Sequence, residues 1–468
     1  MKVKDKDIDI ALKLTFFGGT GSVTGANFLI ESPTNSINKF KILIDCGLMQ
    51  GTSASDSFNR EPFPYNPEEI NFLLVTHAHM DHIGRIPKLV KDGFKGRIIS
   101  TPPTREIAAV LFEDALRIID SDSRKYGTLP IYEKKDVEEA LSLWETIGYH
   151  QGFGLGNGVS IYLRDSGHIL GSAMIEVSSG ETKTVFTGDL GNSPSLLLND
   201  TEEIKDVNNI IMESVYGDRN HEPKDERRRK LKEIIQDTIT NKKLLIIPAF
   251  SLERTQMLLY EMNGLFENNE LSQIPVFLDS PLAIKITKIY EKYSDYLNAT
   301  ICKEINEGDD VFSFPRLKST ALSRDSEKID RTDNPKIILA GSGMSNGGRV
   351  VHHEKDHVGD QNATILMVGY QAVGTLGRQL EDGSKSVKIH GEDMPVRATV
   401  LKIEGYSSHK DSDHLVEFVG TANESGKLNK VFAVMGEPKS SLFLVQRLRD
   451  ELGVDAQYPE YGETVMLD

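Results

Sequence analysis

The chain has 468 residues, which is more than one ordinary hydrophobic core accommodates, so we expect at least two compact domains. Its hydrophobic share of 38% and charged share of 26% are typical of a soluble globular protein, and no apolar run reaches the roughly 18 residues of a membrane helix. The net charge of −16 argues against a general polyanion-coating protein, because such binding depends on Lys and Arg neutralising phosphates. Two cysteines and a polar start, MKVKDKDIDI, predict no disulfide framework, no export signal and a cytoplasmic location.

Short apolar runs separated by turn residues occupy about the first 195 residues and predict strands. The runs are LKLTFFGG, NFLIES, KILIDCG, INFLLVTH, GRIISTP, VSIYLRD, AMIEVSS and TKTVFTGD. Helical patterns interrupt them at about 103–125 and 133–148, and the second pattern contains Trp144.

From about residue 206 the pattern changes to alternating strands and helices, with apolar runs NNIIMES, KLLIIPAF, IPVFLDS, KIILAGSG and ATILMVGY. Such alternation predicts an inserted α/β domain with a parallel sheet and crossover helices. Short strands return after about residue 385 in KSVKIHG, VRATVLKIEG and KVFAVMGE, followed by the amphipathic helix SLFLVQRLRDEL and a final strand. The expected domains are residues 1–205, the insertion at 206–385, and residues 386–468 as a return to the first domain.

The segment LLVTHAHMDHIG places His77, His79, Asp81 and His82 within six residues, directly after an apolar strand. Imidazole and carboxylate groups suit zinc and similar metals, and ligands just beyond a strand are held rigidly. His77 and His79 lie on one side if the strand persists, while Asp81 and His82 would face a second ion. A polar loop with a chance cluster of histidines is the competing interpretation, but the strand before the motif and the glycine after it argue against this.

Three further polar residues follow apolar runs. They are Asp45 in ILIDCG, His168 in RDSGHILGSA and Asp189 in VFTGDLGN. Taken singly, each is more often a loop residue or a strand-end cap. Together with the histidine-rich motif they complete a predicted two-metal site.

This order of motifs resembles the metallo-β-lactamase superfamily, which implies an α/β fold in the form of an αββα sandwich. The metal ligands that the resemblance implies are His77, His79 and His168 for one ion, Asp81 and His82 for the other, and Asp189 as a bridge. Asp45 would support the ligands from outside the metal sphere. The expected cofactor is Zn²⁺ at two sites, with Mn²⁺ as an alternative.

The second half of the chain indicates the branch of this superfamily. The segments MESVYGDR, IIPAFSLERTQ, FLDSPLA, ILAGSGMSNGGRVVHH, VGYQAVGTLGRQL and GYSSHKDSDHL resemble the β-CASP nucleases, in order and over nearly the whole chain. The resemblance implies a β-CASP α/β domain inserted in the sandwich. It also implies a metal-dependent hydrolase that cleaves RNA in processing or decay and leaves 5′-phosphate and 3′-hydroxyl ends, with endonuclease and exonuclease action both open.

By the same resemblance, Glu213 and His409 join Asp81 and Asp45 as catalytic residues. A carboxylate that faces a histidine keeps it protonated for the leaving oxygen. The alternatives are a capping role for Glu213 and an exposed helix start for His409. Substrate contacts are expected in the glycine-rich turn GSGMSNGGR and in the serines before His409, namely at Ser342, Gly343, Arg349, Ser407 and Ser408. The basic run at 227–230 is interpreted as a solvated helix face.

One family position is not matched. Where the family usually has a metal-binding histidine in its last motif, this chain has Met435 in FAVMGEPKSS. A thioether is a poor ligand for zinc or manganese, so the second ion is expected to be weakly held, completed by water, or absent.

Met435 also keeps a DNA-directed β-CASP nuclease as an alternative, because that branch commonly has a small apolar residue at this position. A noncatalytic RNA-binding scaffold subunit is the other alternative, and the retained ligands argue against it. The expected partners are RNA and either a second copy of the chain or RNA-processing proteins, between which the sequence does not choose; no membrane association is expected.

Overall fold

The computed structural model describes residues 12–32, 40–51, 53–221 and 224–467. The chain divides into two units, the first formed by residues up to 220 together with those from 409 onward, and the second by residues 221–408. The polar start, for which no export signal was expected, lies outside the described residues. Among the helices that are described, none combines the length and the apolar composition needed to cross a membrane.

Among the elements up to residue 220, every apolar run named for the first 195 residues forms a strand. The strands are β1 (Leu12–Phe16), β2 (Phe28–Glu31), β3 (Lys41–Ile44), β4 (Phe72–Leu74), β5 (Arg97–Ser100), β6 (Trp144–Thr146), β7 (Gly152–Gly156), β8 (Val159–Asp165), β9 (Ala173–Ser179), β10 (Thr182–Phe186) and β11 (Asn209–Glu213). The helices are α1 (Ser53–Arg60), α2 (Met80–Ile83), α3 (Ile86–Lys91), α4 (Pro102–Tyr126) and α5 (Lys134–Ser142).

The elements of the second unit follow in chain order. They are α6 (Lys224–Thr240), β12 (Leu244–Pro248), α7 (Arg254–Glu267), β13 (Val276–Asp279), α8 (Pro281–Lys292), α9 (Ala299–Asn306), β14 (Leu317–Ser319), α10 (Ser323–Ser326), β15 (Lys336–Ala340), α11 (Val350–His357), β16 (Ala363–Met367), α12 (Leu376–Glu381), β17 (Ser386–Ile389), β18 (Glu392–Pro395) and β19 (Thr399–Lys402). The chain then returns to the first unit with α13 (Ser412–Asn423), β20 (Lys430–Val434), α14 (Pro438–Leu452), β21 (Asp455–Gln457) and β22 (Thr464–Leu467).

The first unit is a sandwich of two sheets. Their described strands run in the orders β22-β1-β2-β3-β4-β5-β6 and β21-β20-β11-β10-β9-β8-β7. Phe16 from one sheet and Phe186 and Phe432 from the other belong to one buried cluster, so the two sheets pack face to face. Leu415 of α13 and Leu444 of α14 pack on the outer face of the second sheet, and α3, α4 and α5 pack together beside the first. The αββα sandwich predicted from the motifs is confirmed.

Strand register places the polar strand ends of each sheet side by side. In the first sheet β3 and β4 are parallel, with Ile44 opposite Leu74, so the residues that follow them emerge at the same edge. In the second sheet β11 lies between β10 and β20 and is parallel to both, with Glu213 opposite Val434. Both sheets therefore present the carboxyl ends of parallel strands, where ligands commonly bind in α/β folds.

The second unit contains a six-stranded parallel sheet in the order β14-β13-β15-β12-β16-β19, with β17 and β18 as a separate hairpin. Strands β12, β13, β15 and β16 are buried along their whole length, as expected for parallel strands covered by helices on both faces. The runs KLLIIPAF, IPVFLDS, KIILAGSG and ATILMVGY are thus strands of one α/β sheet.

Four segments differ from their sequence-based placement. NNIIMES forms β11 of the sandwich, because it pairs with β10 and β20, while the runs KSVKIHG and VRATVLKIEG form β17 and β19 of the second unit. The units therefore divide at 220/221 and 408/409 rather than at the expected 205/206 and 385/386. The helix expected over 133–148 ends at Ser142, since Trp144 joins the sheet and its indole N–H donates to Ser100 Oγ at 2.9 Å.

The expectation that the basic run at 227–230 forms a solvated face of α6 is wrong for Arg227, the first residue of that run. Arg227 is only 4% exposed, and its guanidinium donates to Glu261 Oε1 at 2.9 and 3.2 Å and to the Gly405 carbonyl at 3.0 Å. The Tyr406 hydroxyl donates to the other oxygen of Glu261. By contrast, Arg229 is exposed and pairs with acidic residues of its own helix.

We expect the Arg227→Met substitution to destabilise the second unit by roughly 3–5 kcal/mol, because it leaves the buried Glu261 carboxylate without its cationic partner. The free energy of local opening, obtained from native-state hydrogen exchange of amides in α6 and α7, measures this effect. Arg229→Met is the matched control on the same helix and should leave exchange nearly unchanged. Equal exchange rates in the two variants would refute the assigned role of the buried pair.

Candidate metal centre

Four side chains from three segments of the sandwich meet at one point. The chain after β4 carries His77 and His79, the loop between β8 and β9 carries His168, and the loop after β10 carries Asp189. His77 and His168 are buried in the first unit, with exposed fractions of 0% and 1%. His79 lies immediately before α2, in extended conformation, which turns its ring toward the other two.

The distances between the ligand atoms fit a single small cation. His79 Nδ1 lies 3.1 Å from His77 Nε2 and 3.2 Å from His168 Nε2, and Asp189 Oδ2 lies 3.4 Å from both of these Nε2 atoms. All four ligand atoms lie within 4.8 Å of one another. Zinc bonds of about 2.0–2.1 Å in a tetrahedron put neighbouring ligand atoms roughly 3.3 Å apart, which is the spacing seen here.

The ionisation of these groups also suits a divalent cation. Burial lowers the pKa of both His79 and His168 well below the usual histidine value, which keeps their imidazoles neutral. Burial opposes ionisation of Asp189, but the neighbouring His82 and His77 hold the pKa of its carboxyl well below the usual range. Neutral imidazoles and an ionised carboxylate are the protonation states in which these groups bind metal.

Two buried polar atoms at the centre have no hydrogen bond to any described residue. They are His82 Nε2 and Asp189 Oδ1, which face each other at 3.4 Å. Because buried polar groups in folded proteins are nearly always hydrogen-bonded, an unsatisfied pair beside converging ligands indicates a site made for a bound group. The residues of the centre therefore fit a divalent cation.

Asp45 and Thr76 support the histidines from behind. Asp45 is fully buried and accepts hydrogen bonds at 2.8 Å from the backbone N–H and from the hydroxyl of Thr76, and at 2.7 Å from His82 Nδ1. The Thr76 hydroxyl also lies 3.0 Å from His77 Nδ1, which fixes the ring so that Nε2 points to the other ligands. Sequence reasoning selected Asp45 but missed Thr76, whose only sequence signal is its position directly before the HxHxDH motif.

Asp81 and His82 lie in α2, next to this group of four ligands. One carboxylate oxygen of Asp81 is 3.8 Å from His82 Nε2, and its side chain is 19% exposed. Neither residue belongs to the group of converging ligand atoms formed by His77, His79, His168 and Asp189. The ligand atoms expected for the first ion thus lie together, whereas Asp81 and His82 belong to neither converging group among the described residues.

Glu213 and His409 form a pair beside the same centre. His409 Nδ1 lies 3.1 and 3.3 Å from the two oxygens of Glu213, which is fully buried at the end of β11. The backbone N–H of Leu190 also donates to Glu213, and the His409 ring lies 4.6 Å from that of His168. Burial opposes charge on His409, but attraction by Glu213, with smaller contributions from nearby acidic groups, raises its pKa to about 9.

The predicted substrate-binding residues belong to the second unit. Ser342 and Gly343 follow β15, where the Ser342 hydroxyl donates to Asn346, and any side chain at position 343 would collide with the Phe250 ring. Ser407 and Ser408 are the last residues of this unit.

Arg349 has structural partners that the sequence did not indicate. Its Nη1 donates at 2.6 Å to both Asp279 and the Thr320 carbonyl, and Nη2 donates to the Ala321 carbonyl at 2.9 Å. Asp279 also pairs with His353 at 2.7 Å. A phosphate bound by Arg349 would have to compete with these three hydrogen bonds, so a phosphate contact at this residue stays a prediction.

A sandwich whose strand ends bring three imidazoles and a carboxylate together defines a metal-binding protein of the metallo-β-lactamase fold. Three family models match the chain in order. Residues 36–216 match a metallo-beta-lactamase superfamily domain, residues 255–380 a Beta-Casp domain, and residues 393–459 a Zn-dependent metallo-hydrolase RNA specificity domain.

Several characterised proteins resemble this chain over almost its full length. Ribonuclease TTHA0252 of Thermus thermophilus is 32% identical over 455 residues, which cover 97% of this chain and 100% of that protein. The transcription termination factor FttA of Methanosarcina mazei is 29% identical over 472 residues, covering 97% of this chain and 72% of that protein. FttA of Thermococcus kodakarensis is also 29% identical, with 97% and 71% covered.

A solved structure shares the fold alone. It is a protein of unknown function from Enterococcus faecalis V583, which matches with a TM-score of 0.57 and 13% identity over 98% of this chain and 100% of that one. On the sequence likeness, the chain belongs to the β-CASP family of the metallo-β-lactamase superfamily. The family and fold predicted from the motifs are confirmed, and membership implies the binding of divalent metal.

We expect the Thr76→Val substitution to weaken zinc binding by roughly 10- to 100-fold, which is the usual effect of removing an outer partner of a metal-binding histidine. The valine side chain keeps the shape of threonine but makes no hydrogen bond to His77 or Asp45, while the backbone N–H of residue 76 still donates to Asp45. A zinc titration against a competing chelating dye measures the dissociation constant. Thr184→Val is the control, since Thr184 is also buried in the sandwich but its hydroxyl accepts from Asn209 instead of facing a histidine. An unchanged zinc affinity in Thr76→Val would exclude the support assigned to this hydroxyl.

Proposed function

We propose that this protein is a metal-dependent ribonuclease that hydrolyses phosphodiester bonds in RNA processing or decay. The observation that carries the proposal is the convergence of His77, His79, His168 and Asp189 on one point, with the Glu213–His409 pair directly beside it. This combination offers a cation site and a proton donor within one small volume. A scaffold that only binds RNA has no physical need for either.

The choice of RNA rests on the relatives and on the matched family models. One relative is named a ribonuclease, others are named transcription termination factors, and the model matching residues 393–459 is described by RNA specificity. The net charge of −16 means that the whole surface does not attract polyanions, so a bound cation is the local source of positive charge that we propose for phosphate recognition.

The chemistry divides between the cation and the chain. A divalent cation in this centre would lower the pKa of water and offset charge on the phosphate oxygens. The chain holds His409 charged beside Glu213, with Nδ1 facing that carboxylate and Nε2 on the opposite side of the ring. We assign to His409 the donation of the Nε2 proton to the leaving 3′ oxygen, which would give 5′-phosphate and 3′-hydroxyl products.

Zinc is the cation we propose for the centre. Three imidazoles and one carboxylate at tetrahedral spacing suit zinc better than manganese, which favours octahedral sites rich in oxygen ligands. We further propose a cytoplasmic location, because Cys46 and Cys302 are both free thiols, as expected in a reducing compartment.

End-labelled RNA and DNA of identical sequence, digested in parallel by the zinc-loaded protein, test the substrate class. We expect cleavage of RNA and not of DNA, loss of cleavage after chelation, and recovery when zinc is restored, because the chemistry depends on the cation. The sizes of the labelled products also separate endonuclease from exonuclease action. Equal cleavage of DNA would favour the DNA-directed alternative, and RNA binding without cleavage by the metal-loaded protein would favour the scaffold.

We expect the His409→Ala substitution to lower kcat for RNA cleavage by roughly 10²- to 10⁴-fold, the usual contribution of a general acid. The bound metal should be retained, since His409 contributes no atom to the group formed by the three imidazoles and Asp189. Single-turnover cleavage together with metal analysis measures both properties. His414→Ala is the matched control, because His414 is a nearby, more exposed histidine that pairs with Asp411. Cleavage by His409→Ala at the unsubstituted rate would remove His409 from the mechanism.

A further inference from the structure

Met435 directly follows β20, and the structure shows how its side chain is accommodated. Met435 is 2% exposed and belongs to the same buried apolar cluster as Phe28 and Phe186. Its backbone N–H donates to the Gly19 carbonyl at 2.6 Å. A Cβ at Gly19 would lie only 2.7 Å from the Met435 sulfur, so the thioether packs directly over this glycine.

A small cavity links Met435 to the metal centre. His82, Asp45 and Thr76 line one part of it, and Met435, Phe28 and Phe186 line another. Its volume of about 10 Å³ is close to the least that holds one water molecule. Met435 therefore contributes an apolar side chain to a cavity that His82 also lines, and it supplies no nitrogen or oxygen ligand there.

The remaining ligands do not complete a second cation site. His82 Nε2 and Asp189 Oδ1 are 3.4 Å apart, as two ligands of one ion would be. Asp81 has a carboxylate oxygen 3.8 Å from His82 Nε2, but it joins neither group of three or more converging ligand atoms found among the described residues. Two well-placed ligands without a third give weak binding, because structural and catalytic zinc sites use three or four protein ligands.

The other converging group is also unsuited to a second ion. It consists of Asp189, Glu213 and His409. His409 Nδ1 lies 3.1 and 3.3 Å from the two Glu213 oxygens, so these atoms already satisfy one another without an ion.

We propose that each chain binds one divalent cation tightly, at His77, His79, His168 and Asp189, and that Met435 prevents the binding of a second. The inference concerns the same centre as the proposed ribonuclease. It is tested by the number of ions per chain, so it can fail while RNA cleavage is found, and it can hold where RNA cleavage is absent.

Native mass spectrometry of the full-length chain, equilibrated with zinc and separately with manganese, counts the bound ions. We expect one ion in the unsubstituted protein, two in Met435→His, and one in Met435→Leu, the control that keeps an apolar side chain. Two ions in the unsubstituted protein would overturn the proposal, as would one ion in a folded Met435→His. Loss of the ion in Met435→Leu would make the thioether itself a ligand and would equally overturn it.

A second pair of variants leaves position 435 unchanged, so the proposal stays testable if Met435→His does not fold. We expect His82→Ala to keep one zinc ion per chain and His168→Ala to keep none, because His168 belongs to the complete group of ligands and His82 does not. Circular dichroism confirms that both variants are folded. A fall from two ions to one in His82→Ala, or loss of the single ion in that variant, would contradict the single-cation centre.

Discussion

Three imidazoles and one carboxylate share a buried space that a single cation can fill, and this arrangement constrains how the two sheets of the first unit can pack. An ionised carboxylate buried beside neutral imidazoles is unfavourable unless positive charge offsets it. The ligands come from the ends of different strands, so they meet only when both sheets are correctly packed. The aromatic residues Phe16, Phe186 and Phe432 provide that packing, because they fill the space between the two sheets. The hydrophobic core thus determines the geometry of the polar centre.

Much of the centre could be predicted from the sequence because its residues follow recognisable strands. Four potential ligands in six residues after an apolar run form a dense local signal, and His168 and Asp189 each stand beside a glycine near a strand end. Thr76 carries no comparable signal. Its importance depends on the parallel register of β3 and β4, which brings it to Asp45, 31 positions away in the chain. A local pattern cannot reveal such a partner.

The predictions that failed or remained incomplete have the same physical origin. The spacing of apolar residues over 133–148 is helical, but Trp144 pairs with β5 as part of β6 and its indole N–H donates to Ser100. Arg227 reads as part of a basic surface run, yet its partner Glu261 lies 34 residues further on. Arg349, which the sequence suggested as a phosphate contact, donates a hydrogen bond to Asp279, 70 residues away in the chain. This contact gives Arg349 a structural role within the second unit. For Trp144 and Arg227 a tertiary contact overrides the local pattern, whereas a phosphate contact at Arg349 stays a prediction.

The position of Trp144 has a practical consequence for spectroscopy. It is the single tryptophan of the chain, and it is buried in the edge strand β6 of the sandwich. Intrinsic tryptophan fluorescence therefore reports the unfolding of the sandwich and does not report the unfolding of the parallel sheet of the second unit. Because far-ultraviolet circular dichroism detects both, denaturation curves recorded by the two methods coincide only if the units unfold together. Comparing the two curves thus measures whether the two units unfold cooperatively, without an added fluorescent label.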